Sequence, residues 1–230
     1  MATARDVKTK PKPRSVRSRL PLPANATVAD LLRRLGNVPP RRVRLHPTPG
    51  TATEKDVIQV LDEESRPCEL VAGTLVEKPM GYEESEIAAT VIIFLGSFVR
   101  RHKLGIVTGP DGTIRLFPGL VRIPDVAFAS WDRLPGRKRP KTPIPHLAPD
   151  LVVEVLSKSN TKTEMNQKLE EYFAAGVSSV WLVDPRKRTA RVYTAVDQSV
   201  LIREGQALDG GDVLPGFVLP LDELFAENRP

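Results

Sequence analysis

Cysteine, aromatic side chains and long apolar runs are all scarce in this chain, and each scarcity excludes something. One cysteine, Cys68, rules out an internal disulfide framework and a cysteine-built zinc site, and it suits a reducing cytoplasm. Aromatic residues make up 5% of the chain against 40% hydrophobic, a globular but aromatic-poor composition. The longest apolar stretch, residues 88–99, is about half of what a bilayer-spanning helix needs and is flanked by charge. The N-terminus carries no apolar segment of the kind that directs export, which predicts a cytoplasmic protein. No internal repeat is present.

Surplus positive charge is also missing from most of the chain. The formal net charge is +6, but residues 1–20 hold seven Lys or Arg and one Asp, so the other 210 residues balance at 27 basic against 27 acidic. The basic character belongs to a tail, which weakens any argument for DNA binding from net charge. Residues 1–21 are rich in Lys, Arg, Pro and Ser and poor in large apolar side chains, which predicts disorder. Such a tail either binds phosphates non-specifically or is simply a solubilising end.

What is abundant is proline, with 22 residues that imply many loops and extended connections. The length of 230 residues suits one domain with an extra arm. The division expected is the tail over 1–21, a helical and extended arm over 22–66, and the main domain over 67–230. Residues 26–35 read as a short helix capped by Thr27 and ended by Gly36, and 56–64 as a second one. Residues 69–76 predict a hairpin around Ala72-Gly73. The clearest helix is 82–101, whose stripe of Ile87, Val91, Leu95 and Phe98 is widened by Ala88, Ile92 and Val99. The sequence GPDG marks a turn between two strands within 106–118. Residues 163–175 form a helix with Met165, Leu169, Tyr172 and Phe173 on its apolar face, Lys168 on the border of that face, and Gly176 beyond its end. Residues 180–183 are a buried strand, 191–194 and 199–203 a closing hairpin, and the chain ends in a loop and a short helix.

Two further apolar runs, 121–129 and 151–156, have the length and β-branched content of buried strands. Each carries one carboxylate where a core strand would have none: Asp125 in the first, Glu154 in the second. If the strands are neighbours in one sheet, the two acids can hold a hard divalent cation, Mg2+ or Mn2+, which prefers oxygen ligands and keeps several waters. Such an ion polarises a scissile phosphate, and a lysine nearby offsets its charge. The plainer alternative places each acid at a strand end, solvated or capping a loop. Glu84 extends the buried face of the 82–101 helix by one turn, so it either points at the site or is a first-turn acid that favours the helix dipole. The loop 131–149 carries Arg133, Arg137, Lys138, Arg139 and Lys141 against Asp132. It is the best candidate for contact with a phosphate backbone, with a solvated surface loop as the alternative. His146, alone in that Pro-rich loop, reads as structurally neutral.

Pro124-Asp125, a spacer of 28 residues and then Glu154 resemble the PD-(D/E)XK nuclease superfamily. More narrowly, CELVAGTLVEKP, GYEESEIAA, RIPDVAFAS, APDLVVEVLS, QKLEEYFAAGV, VWLVDP and GDVLPGF, in this order across 68–218, resemble the Uma family of restriction-endonuclease-like proteins. The resemblance implies an α/β fold with a central mixed sheet flanked by helices, carrying hairpin additions. It also implies a divalent-metal site and hydrolysis of a nucleic-acid phosphodiester, most directly DNA. By position, Asp125 would be the motif's Asp and Glu154 its acidic partner, both metal ligands. The motif's lysine is absent, since Leu156 stands two after Glu154, and Lys168 on the following helix would take its place. Lys158 competes but lies on a loop past the strand end. Glu84 falls where relatives carry a histidine or an acid. Pro149-Asp150 is a second such pair, but residues four apart on one strand are about 13 Å apart, too far for Asp150 and Glu154 to share an ion. An inactive nuclease-fold protein that binds nucleic acid or a protein partner is the alternative reading. A homodimer is expected if both strands of a duplex are cut.

Overall fold

Pro124 decides how the middle of the chain folds. A residue without a backbone N–H cannot continue a ladder inside a sheet. The run 121–129, expected as one strand, accordingly divides into β5 (Leu120–Arg122) and β6 (Val126–Ser130), which belong to different sheets. Ile123, Pro124 and Asp125 form the step between them. The computed structural model describes residues 25–79 and 81–226, so the basic tail expected over 1–21 lies outside the described residues.

The larger sheet is the expected mixed one. Its order is β10 (Gln198–Ile202), β9 (Thr189–Ala195), β8 (Ser179–Asp184), β7 (Leu151–Val155), β6 and β3 (Gly105–Thr108). Among these pairs β7 and β8 run parallel. A parallel pair needs a crossover, and α4 (Lys162–Ala175) supplies it. The smaller sheet is β2 (Thr74–Glu77), β1 (Cys68–Val71), β5 and β4 (Ile114–Phe117). β1 and β2 are the expected hairpin, turned by Ala72 and Gly73, both at positive φ. The GPDG turn does join two strands, β3 and β4, but they lie in different sheets. A short pair, β11 (Ala207–Asp209) with β12 (Val218–Pro220), was not foreseen in the C-terminal loop.

Helices cover both faces of the larger sheet. On one face α3 (Tyr82–His102) buries Ile87, Ala88, Val91, Leu95 and Val99 against Val126, Phe128, Val153 and Val155, joined by Leu221 and Leu224 of α5 (Leu221–Leu224). On the other, α4 packs Met165, Leu169 and Tyr172 on Val152, Val180 and Leu182, and Leu31 of α1 (Val28–Arg34) joins the same cluster. A smaller core gathers Val57 and Val60 of α2 (Glu54–Glu64) with Cys68, Leu70, Leu75 and Val121.

One buried ion pair fastens the N-terminal arm to α4. Thr161 and Glu164 form the capping box that starts this helix. Glu164 also takes a two-pronged hydrogen bond from Arg42, at 3.0 and 2.9 Å, with both residues buried. Gly36 sits so close that a Cβ on it would meet the Glu164 Cα at 2.6 Å. Truncating Arg42 strands a buried carboxylate, so Arg42→Ala is expected to cost about 3–5 kcal/mol in urea unfolding. An Arg42→Met, Glu164→Met double variant recovers most of that loss, because it leaves no uncompensated charge.

Candidate active site

The strand register brings the two expected carboxylates together. β6 and β7 are antiparallel neighbours with Val126 opposite Val153, so Asp125, the residue before β6, comes beside the end of β7 that carries Glu154, near enough for its charge to act on Glu154. Asp125 Oδ2 accepts from the Val155 N–H at 2.6 Å, which ties the step between the sheets to the end of β7. Its Oδ1 lies 2.8 Å from Lys78 Nζ. Lys78, just past β2, also donates to the Ile123 carbonyl at 2.8 Å and to that of Pro110 at a longer 3.4 Å.

Glu154 points to the opposite face of the sheet from its neighbours Val153 and Val155, towards α4. There its Oε1 accepts from Tyr172 Oη at 2.6 Å and from Lys168 Nζ at 3.0 Å. Lys168 is shared with a second acid: Glu69 on β1 lies 3.0 Å from the same nitrogen. Glu69 in turn binds Arg122 of β5 at 2.7 Å, and Arg122 binds Glu171 of α4 at 2.6 Å. All these side chains are buried, so charge can be tolerated only because acids and bases alternate. Among the described residues these ion pairs link Glu69, Glu154 and Glu171 through Lys168 and Arg122, and the separate Asp125–Lys78 pair acts on them through space, so four carboxylates face three bases.

The electrostatics single out Glu154. Burial raises both the Glu69 and the Glu154 carboxyl. At Glu69 the attraction of Lys168 and then Arg122 outweighs burial and holds it well below the ordinary 4.5. At Glu154 burial is offset by Lys168, but Asp125 and Glu69 add to it, and the carboxyl ends above 4.5. Burial would lower the Lys168 ammonium, yet Glu154 and Glu69 together raise it, so it stays charged. The site thus has one carboxylate more than its bases neutralise, and Glu154 bears the cost.

The matching family model, Uma2, is described as "putative restriction endonuclease" and covers residues 55–222. The chain belongs to the Uma2 family. A crystal structure from Anabaena variabilis, described as a "putative nuclease belonging to DUF820", is similar at 22% identity with a TM-score of 0.64, covering 74% of this chain and 96% of that one. The two share the fold. No curated protein matches.

The other residues expected at the site of this Uma2-family protein are placed less uniformly. Lys168 does reach Glu154, but it is buried in the centre of the α4 interface, not on its border. Glu84 does not join the ion-pair network. It lines a hollow of about 30 Å³ with Lys78, Gly81, Ser85, Pro110 and Asp125, and its carboxylate folds back over Gly81, where a Cβ would meet Oε2 at 1.8 Å. That volume suffices for one water. Beyond the hollow, a groove of about 680 Å³ opens between α3, the edge strand β3 and the Pro-rich loop, with Arg100 and Arg139 on its walls.

In that loop Arg137, Lys138, Arg139 and Lys141 are exposed. Arg133 is instead a pin: it donates to Asp150 at 2.7 Å, to the Gly176 carbonyl at 2.9 Å and to Ser178 at 3.0 Å. Asp150 completes that pin by accepting from the Ser130 N–H at 2.7 Å, far from Glu154's chemistry as its spacing implied. Lys158 is exposed on its loop. Glu69, Lys78 and Arg122 were not singled out from sequence, and Tyr172 was read only as part of the apolar face of its helix. The signal for Glu69 and Arg122 was available, since each is a charge inside an apolar strand, as Asp125 and Glu154 are.

The two acids on Lys168 respond oppositely to replacement. Glu69→Gln removes the anion that Lys168 and Arg122 share, and a cost of about 3–5 kcal/mol is expected in urea unfolding at pH 7. Because Glu69 is held low when folded, that deficit shrinks as pH falls below 4.5. Glu154→Gln keeps an oxygen for Tyr172 and Lys168 and loses only a strained ionisation. Its stability relative to wild type is expected to rise as pH increases above 4.5, the reverse trend.

Proposed function

We propose that this protein is a divalent-metal-dependent endonuclease, using Mg2+ or Mn2+ to hydrolyse phosphodiester bonds of nucleic acid, most directly DNA, in the cytoplasm. The observation that supports this reading is that Asp125, hydrogen-bonded to the Val155 N–H, lies beside the end of β7 that carries Glu154, and that each acid has a lysine at 2.8 or 3.0 Å. Hard carboxylate oxygens suit a hard cation, and both hydrogen bonds to Glu154 fall on Oε1, leaving Oε2 available. A cation between Asp125 and Glu154 would also relieve the excess negative charge that raises Glu154. Among the described residues no cluster of three or more His, Cys, Asp or Glu side chains can hold an ion. Asp125 and Glu154 would hold Mg2+ or Mn2+, ions that need only one or two carboxylates from the protein.

The ion supplies Lewis acidity to the scissile phosphate when bound. The protein's own groups do the rest. Asp125, oriented by the Val155 N–H, and Glu154, oriented by Tyr172 and Lys168, present their oxygens to it. Lys168 and Lys78 place positive charge where the phosphate gathers negative charge. The one-water hollow between Glu84 and Asp125 gives a place for the attacking water, with Glu84 as the acceptor of its hydrogen bond. The exposed Arg137, Lys138, Arg139 and Lys141 draw the phosphate backbone towards the groove. A symmetric pair of chains would bring two such sites to a duplex. A second reading, a nuclease fold that binds without cutting, is favoured by Lys78 already occupying Asp125.

Plasmid cleavage with Mg2+ or Mn2+ separates the two. Activity is expected in the wild type, at least ~100-fold lower in Asp125→Ala and in Glu154→Ala, and unchanged activity in both variants would sink the assignment. Replacing Lys138, Arg139 and Lys141 by alanine is expected to weaken DNA binding and to reduce its salt slope by roughly one per residue, measured by fluorescence anisotropy across a salt series. Arg133→Ala should instead lower thermal stability, because its partners are protein atoms.

A further inference from the structure

Lys78 and Lys168 are both buried lysines in one network, yet their surroundings differ in kind. Lys168 sits between two carboxylates, an ordinary arrangement of alternating charge. Lys78 has one carboxylate, Asp125 at 2.8 Å, and its remaining acceptors are main-chain carbonyls, Ile123 at 2.8 Å and Pro110 at 3.4 Å. Carbonyl oxygens need no counter-ion. Two of them converging with a carboxylate on one point, beside a hollow with room for a water and lined by Glu84, make up the ligand set by which proteins hold hard cations. The peptide of Lys78 is itself fixed by an N–H bond to the Pro67 carbonyl at 3.0 Å, so the ammonium is delivered from a set position.

We propose that the Lys78 ammonium is a tethered cation filling a preformed oxygen site made by Asp125, Ile123 and Pro110, and that removing it opens a further divalent-cation site in this chain. The inference rests on the reading above only in treating Asp125 as part of a cation-binding centre, and its test does not depend on cleavage. Size gives it a preference. Two of the nitrogen-to-oxygen distances are 2.8 Å and the third, to Pro110, is 3.4 Å; all three must contract less to reach the roughly 2.3–2.6 Å of calcium than the roughly 2.0–2.1 Å of magnesium. The opened site should therefore take Ca2+ ahead of Mg2+.

The test is Ca2+ titration calorimetry on the full chain without nucleic acid, comparing wild type with Lys78→Met, which keeps the aliphatic stem and deletes the charge. The variant is expected to bind one more Ca2+ per chain than wild type. It is also expected to melt lower than wild type in chelator and to recover most of that loss in millimolar Ca2+, with Mg2+ restoring less. Adding Asp125→Asn to Lys78→Met should abolish the extra ion. Lys78→Leu, which likewise deletes the charge and every donor, serves as the second variant should the Met form be poorly soluble. Equal stoichiometry in wild type and variants overturns the proposal, as does an extra ion that survives Asp125→Asn, or a variant that stays unfolded in millimolar Ca2+. A wild type that binds no divalent ion and cuts nothing would refute the metal-nuclease reading, while one additional ion in Lys78→Met would still support the tethered cation.

Discussion

Lys168, held between Glu69 and Glu154, is the contact on which the arrangement depends. Glu69 belongs to the smaller sheet, Glu154 to the larger one and Lys168 to the helix that crosses over it, so a single ammonium binds three layers of the fold. A buried ion of this kind adds little net stability by itself, because desolvation consumes most of the Coulombic gain. What it adds is uniqueness. Any slip of the smaller sheet or of α4 leaves a charge unpaired in an apolar setting, at a cost of several kcal/mol. Arg122, between Glu69 and Glu171, repeats the same device one step further from the site.

The same network explains why the acids are where a cation could use them. Carboxylates seldom survive on strands buried from both sides unless something neutralises them. Here the bases fall one short of the acids, and the deficit lands on Glu154, whose carboxyl is pushed up while Glu69 is pulled down. The acids of one cluster are thereby set apart electrostatically. Glu69 and Glu171 are saturated by protein cations. Asp125, at the step forced by Pro124, lines a small hollow, and Glu154 is buried against α4.

Belonging to the Uma2 family agrees with this architecture, in which the buried lysines near the two acids come from outside the acid-bearing strands. The residue two beyond Glu154 is leucine, half-buried, and the amines come from elsewhere: Lys168 from a helix and Lys78 from the loop after a hairpin. Chemistry that needs a cation at a point in space is indifferent to which element delivers it, provided the stem is long enough and its base is fixed.

Much of the secondary structure was legible in the sequence because it is governed by local periodicity and capping. The helices over 82–101 and 163–175 and the hairpin at Ala72-Gly73 formed close to where their apolar spacing and turn residues put them. Asp125 and Glu154 were legible for a related reason, since a charge interrupting an apolar strand is visible without any structure. The split of the run at Pro124, the β11–β12 pair and the network through Glu69, Arg122 and Glu171 were not, because each depends on partners far along the chain. Tertiary structure alone decided which acids are neutralised and which are left over: ion pairing is set by distances of a few ångströms between residues as much as 122 positions apart, as Arg42 and Glu164 are, and no local pattern encodes such distances.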